Sequence, residues 1–199
     1  MTTSPLSLES ALAEFHAEVR PPELPASDVS YVIEDTAIGR MLLAVKDSGE
    51  LVASAFTPDA SAEDHVLSRL SAKVSPRVLR HPRELDAART ELEAYLAGRS
   101  HGFTLPVDLA LATPFQHVVL PRLAASVGYG EKATYGELAR RIERPSASRA
   151  VGAALGANPL CVVLPCHRVV ASTGALTGYA GGLAAKRYLL DLEAGHREG

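Results

Sequence analysis

Hydrophobic and polar residues change their spacing twice along the chain. From Tyr31 onward short apolar runs dominate: MLLAV (Met41 to Val45) and LVASAF (Leu51 to Phe56) flank KDSGE, whose Asp-Ser-Gly supplies turn chemistry, so a β-hairpin is expected. In RELDAARTELEAYLAG the period lengthens to that of a helix. Leu85, Ala88, Leu92, Tyr95 and Leu96 fall on one face, and Gly98 is placed to end it. FTLPVDL reads as one more extended piece. After Thr113 the texture becomes helical and rich in small residues, with PFQHVVLPRLAASV, TYGELARRI and SASRAVGAALGAN separated by short Gly or Pro punctuation. Thr134 and Glu137 spell a T-x-x-E capping box, so a helix should begin just after Thr134. The next is expected from Pro145 and Ser146 after a very short connection, the spacing of a helix-turn-helix. GGLAAKRYLLDLEAG reads as the last helix.

This pattern predicts an α+β fold. A small N-terminal antiparallel sheet domain with helices (28–112) is followed by a mostly helical C-terminal domain (113–199) containing a winged-helix-like helix-turn-helix. Residues 1–27, with the amphipathic stretch LESALAEFHAEV and the linker-like PPELPAS, form a peripheral leader. With 199 residues, 47% of them hydrophobic, the chain can bury a real core. No apolar run approaches the roughly 18 to 20 residues that span a bilayer, and the N-terminus lacks the layout of a signal peptide, so an intracellular location is expected.

The formal net charge of -3 hides an asymmetry. Residues 1–116 carry 10 Lys/Arg against 17 Asp/Glu, 117–187 carry 9 against 3, and 188–199 carry 1 against 3. A basic segment of this kind fits salt-sensitive, sequence-independent attraction to nucleic acid, although chains of this size often show some asymmetry.

The chemistry centres on VVLPCHRVV, Val162 to Val170. Cys161 and Cys166 lie five positions apart on either side of a strand-like segment, which is poor geometry for a disulfide and too few ligands for structural zinc. Both are expected as reduced thiols. Cys161, inside NPLCVVLP, fits a buried, inert cysteine. Cys166 fits that reading less well, because Pro165 ends the apolar run and His167 and Arg168 bring polar, cationic groups beside the sulfur. Such surroundings favour the thiolate, the nucleophilic form of a group whose ordinary pKa is about 8.5. His167 is the candidate base. Adjacent side chains point apart, so contact would need a water or a bent backbone. Glu193 stands in the last turn of a helix, the unfavourable end of the helix dipole for a carboxylate, and therefore needs solvent or a cationic or imidazole partner.

Taken in order, FQHVVLPRLAASVGYGEKATYGELA, SRAVGAALGAN and NPLCVVLPCHRVVASTGALTGYAGGLAAKRYLLDLEAG resemble the O6-alkylguanine-DNA alkyltransferases, also called methylated-DNA-protein-cysteine methyltransferases. A weaker similarity runs through TAIGRMLLAVKDSGELVASAF. The resemblance implies irreversible, single-turnover transfer of an alkyl group from O6 of guanine in DNA, and from O4 of thymine, to Cys166. His167 would act as base through a water, Glu193 would orient its ring, and Asn158 would hold the active-site turn. Reaching a base inside a duplex requires flipping it out. By resemblance Arg149 fills the gap and Tyr135 lies by the rotated phosphate and the flipped purine. The small Ala150 and Gly152 let their helix approach the minor groove; tight helix packing is the other use for such residues. Thr134, Gln116, Arg144 and Ser172 would complete the DNA-binding set. The guanine pocket would use the carbonyls of Cys166 and Val169, the walls Leu155 and Tyr179, and the backbone N–H of Ala180, where several relatives have serine. The partner implied is double-stranded DNA containing alkylated guanine, with no membrane, no cofactor and a monomeric protein that could bind cooperatively. The cysteines of the zinc site found in some relatives are missing, so no metal is expected. Two other readings are open to the residues: a lesion-binding protein without transfer, whose members replace the cysteine, and a Cys-His hydrolase, for which the pattern holds no oxyanion hole.

Overall fold

The computed structural model describes residues 27–195, and the peripheral leader expected over 1–27, with the amphipathic stretch LESALAEFHAEV, lies outside them but for its last residue. Strands β1 (Val29–Thr36), β2 (Gly39–Lys46) and β3 (Leu51–Phe56) form an antiparallel meander that includes the expected hairpin. The sheet is mixed rather than purely antiparallel, because β4 (Val78–Arg80) pairs parallel with β1 and gives the order β3-β2-β1-β4. A parallel pair needs a crossover. Helix α1 (Ala60–Lys73) supplies it, and the sequence reading did not single it out. Its signals were present: Asp59 accepts a hydrogen bond from the Ala62 N–H as N-cap, and Val66 and Leu70 recur at helical spacing and are buried.

The β2 strand is covered on both sides, which is why MLLAV reads as a continuous apolar run and not as an alternation. Leu42 and Ala44 face α1 together with Val29, Val52, Val66 and Leu70. Met41, Leu43 and Val45 face the other way, into a core with Leu85, Leu92 and Tyr95 that continues through Leu120, Leu138, Val151, Leu164 and Leu189. One hydrophobic core therefore joins the sheet to the helical half.

Helix α2 (Asp86–Leu96) follows a 3-10 turn over Pro82–Leu85, buries Ala88, Leu92, Tyr95 and Leu96, and ends at Gly98 in the left-handed region, φ +68°. FTLPVDL does not become a strand. It makes a single parallel bridge from Val107 to Leu51, since Pro106 has no N–H to continue a ladder. Helix α3 spans Pro114–Ser126, β5 is Ala133–Thr134, and α4 (Tyr135–Arg141) starts at Thr134 with both bonds of the expected capping box. Helix α5 (Ser148–Gly156) begins later than expected, because Arg144–Ala147 is spent on a turn closed by the Ala147 N–H to the Arg144 carbonyl, 2.9 Å. A 3-10 turn at Cys166–Arg168 leads into β6 (Val169–Val170), and α6 (Gly182–Glu193) closes the chain. Strand β6 pairs parallel with β5, Ala133 to Val169 and Thr134 to Val170, so the start of the helix-turn-helix is tied to the strand that follows Cys166.

Candidate active site and nucleic-acid face

The site begins with Asn158. Its Oδ1 accepts from the Leu160 N–H at 3.0 Å, and its Nδ2 donates to the Leu164 carbonyl at 2.9 Å and to Cys166 Sγ at 3.2 Å, so one amide shapes the loop and touches the sulfur. The sheet holds the same loop. Ser54 on β3 gives its N–H to the Pro159 carbonyl (2.9 Å), takes the Cys161 N–H (2.7 Å), and donates its hydroxyl to the Cys161 carbonyl (2.8 Å). Between these clamps Val162 sits at φ +73°, an uncommon conformation for a β-branched residue and a local strain that the surrounding bonds must hold.

Cys166 is buried, 5% exposed. Hydrogen bonding from the Cys161 thiol holds its pKa below the ordinary thiol value, helped by the Asn158 amide and the Lys186 charge, which together outweigh burial. His167 is fully buried, with Nε2 2.5 Å from Glu193 Oε1. A carboxylate can only accept, so Nε2 carries the proton and Nδ1, buried without a protein partner, keeps its lone pair. Burial pushes the imidazole pKa down against the opposing pull of Glu193, which favours the neutral ring a base must be.

Glu193 meets the requirement set by its place at a helix end. Oε1 accepts from His167 and from the Tyr95 hydroxyl, and Oε2 accepts from Arg168 Nε at 2.9 Å and the Gly130 N–H at 3.0 Å. Burial alone would raise its pKa, but His167, Tyr95 and Arg168 hold it at about 2. Arg168 also donates to the Val127 carbonyl at 2.8 Å. Lys186, 1% exposed, gives its ammonium to the carbonyls of Val169 (2.7 Å) and Thr177 (3.0 Å). Sequence reasoning missed Ser54, Tyr95 and Lys186 as parts of the site, and it expected Arg168 to act on the sulfur, whereas its guanidinium holds Glu193. Two carried usable signals: Tyr95 was on a core face, where a buried hydroxyl must find a partner, and Lys186 interrupts the apolar face Ala185-Leu189-Leu190.

Tyr179 stands over the site with its ring centroid 6.4 Å from that of His167 and 5.5 Å from that of Phe56 on β3. Its hydroxyl is buried without a protein partner. Gly181 lets the chain pass close to Phe56: a Cβ there would come within 2.4 Å of the ring and would have to displace it. Leu155 and Val169 are buried nearby, and Ala180 is exposed. The Cys166 carbonyl already accepts from the Val169 N–H and the Val169 carbonyl from Lys186, which leaves each one lone pair for a ligand.

On the outer side, Arg149 and Ala150 lie exposed in the first turn of α5, which has no side-chain cap on its N–H groups. Arg144 and Ser172 are also exposed, with the Arg144 guanidinium 5.6 Å from the Phe115 ring. Tyr135 reaches Thr177 Oγ1 at 3.1 Å and packs beside Gly152, where a Cβ would meet its ring at 3.6 Å. Two expected DNA contacts need correction. Gln116 is 2% exposed: Oε1 caps α3 by accepting from the Thr113 N–H, and Nε2 donates to the carbonyls of Ala154 and Ala157, so its side chain ties α3 to α5 and does not face outward. The Thr134 hydroxyl accepts from the Glu137 N–H and donates to the Glu137 carboxylate, and it has no free donor for a phosphate.

A buried thiol next to a base-carboxylate pair, tied through β6 and β5 to a helix-turn-helix, is the arrangement of a cysteine nucleophile on a nucleic-acid-binding scaffold. Residues 114–195 match the family model described as 6-O-methylguanine DNA methyltransferase, DNA binding domain. A methylated-DNA-protein-cysteine methyltransferase of Mycolicibacterium paratuberculosis is 46% identical over 116 residues, covering 58% of this chain and 69% of that protein. The chain belongs to the methylated-DNA-protein-cysteine methyltransferase family. The inducible member from Bacillus subtilis is 46% identical over 110 residues, 55% of this chain, and the match spans 60% of that relative's length. The likeness in shape reaches further than the likeness in sequence. The crystal structure of Mycobacterium tuberculosis OGT in complex with DNA superposes with a TM-score of 0.71 at 35% identity, covering 84% of this chain and 94% of that one.

Proposed function

We propose that this protein repairs DNA by direct reversal, moving an alkyl group from O6 of guanine to Cys166. The observation that carries the reading is a thiol of lowered pKa, hydrogen-bonded by Asn158, beside a neutral imidazole whose unprotonated Nδ1 is kept so by the Glu193 bond to Nε2. The Cys166 sulfur attacks the alkyl carbon, the S–C bond forms as the C–O6 bond breaks, and the guanine leaves with the electron pair and takes up a proton. The thiol proton passes to His167 Nδ1 through a water. A thioether is not hydrolysed, so each molecule acts once.

Access depends on the outer face. Extruding a base costs about a few kcal/mol, and Arg149, exposed at the start of α5, is placed to occupy the gap. The uncapped N–H groups of α5 and the exposed Arg144 suit a phosphate backbone. The partner is double-stranded DNA, bound by a monomer without metal or cofactor inside the cell. Tyr179 and Leu155 wall the pocket, and the remaining lone pairs of the Cys166 and Val169 carbonyls and the Ala180 N–H read the purine edge.

Incubation with a duplex containing O6-methylguanine should add one methyl to the intact mass, on Cys166, and nothing to Cys166→Ser. Turnover well beyond one equivalent would contradict the mechanism. Arg149→Ala should slow repair of the duplex more than reaction with the free alkylated base, and equal losses would remove its role.

A further inference from the structure

Cys161 is a second thiol at the centre of the site for which alkyl transfer has no use beyond a hydrogen bond. It is 1% exposed, and its own N–H and carbonyl are pinned to β3 by Ser54. A separation of five residues reads as poor geometry for a disulfide, yet the loop doubles back. The Leu164 N–H returns to the Leu160 carbonyl (2.8 Å), the Cys166 N–H returns to the Leu164 carbonyl (2.8 Å), and Val162 turns in the left-handed region. As a result both sulfurs rest on Asn158, Cys166 Sγ 3.2 Å from the side-chain Nδ2 and Cys161 Sγ 3.4 Å from the main-chain carbonyl.

We propose that Cys161 is a resolving thiol that protects Cys166 from irreversible oxidation by hydroperoxides. The Cys166 thiolate attacks the peroxide oxygen, the O–O bond breaks, and a sulfenic acid and hydroxide form, with sulfur oxidised and peroxide reduced. The Cys161 sulfur then attacks the sulfenic sulfur, the S–O bond breaks, and the Cys161 proton leaves with the hydroxyl group as water. The product is a Cys161–Cys166 disulfide that thiol reductants reopen. Without a neighbour the sulfenic acid can go on to sulfinic and sulfonic acids, which reductants do not reverse. For a protein whose single sulfur is consumed in use, that difference decides whether an oxidised molecule is lost or kept.

The test uses the full chain, reduced and then exposed to hydrogen peroxide before free thiols are blocked with iodoacetamide. Trypsin releases both cysteines in the one segment 150–168. Its expected mass is about two hydrogens below the reduced, unblocked form, as a disulfide requires. Methyl-acceptor capacity should fall with peroxide and return fully on adding dithiothreitol. In Cys161→Ser and Cys161→Ala, whose folding is checked by circular dichroism and thermal unfolding, Cys166 should instead gain two or three oxygens, and dithiothreitol should not return each variant to its own capacity before oxidation. A wild-type segment carrying sulfinic acid and no internal bridge, or recovery equal in wild type and variants, would overturn the proposal. The mass reading needs no DNA, so it stands or falls apart from the repair activity.

Discussion

The sheet half of the molecule keeps its ion pairs in water, whereas the helical half buries the one at its centre, around Glu193. Every ion pair between residues 28 and 108, such as Arg40–Glu63, Lys46–Asp108 and Arg89–Glu34, joins side chains at least one-fifth exposed. The ion pair of Glu193 with Arg168, and the hydrogen bond it accepts from the neutral His167, join groups no more than 8% exposed. The same interaction therefore has different weight. An exposed pair contributes about 0.2–1 kcal/mol, whereas removing one partner of a buried pair costs about 3–5 kcal/mol because a desolvated charge is left behind. The sheet half is no bystander, however. It sends Tyr95, Ser54 and Phe56 into the site of the other half, which is a physical reason for its shape to persist in relatives whose sequence match covers little more than half of this chain.

The strongest way to break this contrast is Glu193→Gln. The amide keeps one accepting oxygen and no charge, so either Arg168 or His167 faces a donor and the buried guanidinium loses its counter-charge; the variant should lose about 3–5 kcal/mol in urea unfolding and transfer should slow on the order of 10² or more. Wild-type stability and a tenfold or smaller rate loss would dissolve the contrast. Acid should act through the same group. A carboxyl held at about 2 when folded and near 4.5 when unfolded adds stability that is complete above pH 4.5 and lost as pH falls from there through 2. The acid limb of wild-type unfolding should contain this loss, and Glu193→Gln should lack it.

Tyr95→Phe removes one hydrogen bond to that carboxylate from the opposite half. It should cost about 1.5–3 kcal/mol and slow transfer to DNA and to the free alkylated base by the same factor, since it acts on the catalytic pair and not on DNA. Gly181→Ala tests the contact between the halves at Phe56. Its Cβ would sit 2.4 Å from the ring, and the overpacking should cost about 1–3 kcal/mol by thermal unfolding. The smallest effect belongs to Arg40→Ala on the sheet, which should change stability by no more than about 1 kcal/mol and leave the transfer rate alone.

Much of the site was legible because the chemistry clusters in one stretch. Cys166, His167 and Asn158 lie within ten residues, and Glu193 announced its need for a partner by standing at a helix end. Gln116 misled for a good reason: a polar residue in the first turn of a basic helical segment has the look of a phosphate contact, and only the packing of α3 on α5 shows that its amide is consumed by capping and by two carbonyls. Tyr95 and Ser54 could not be read from spacing, being 98 and 107 residues from the groups they hold.

Local pattern alone determined the β2-β3 hairpin, the face of α2 and the start of α4, and it set Cys166 apart from Cys161 as the candidate nucleophile, since each depends on side-chain period, capping chemistry or immediate neighbours. The tertiary structure decided which carboxylate oxygen meets which donor, that β4 joins the sheet parallel to β1, and that two thiols five positions apart rest on the same asparagine. Those outcomes depend on where distant backbone segments are held, and the buried groups that hold them have no periodicity to betray their partners.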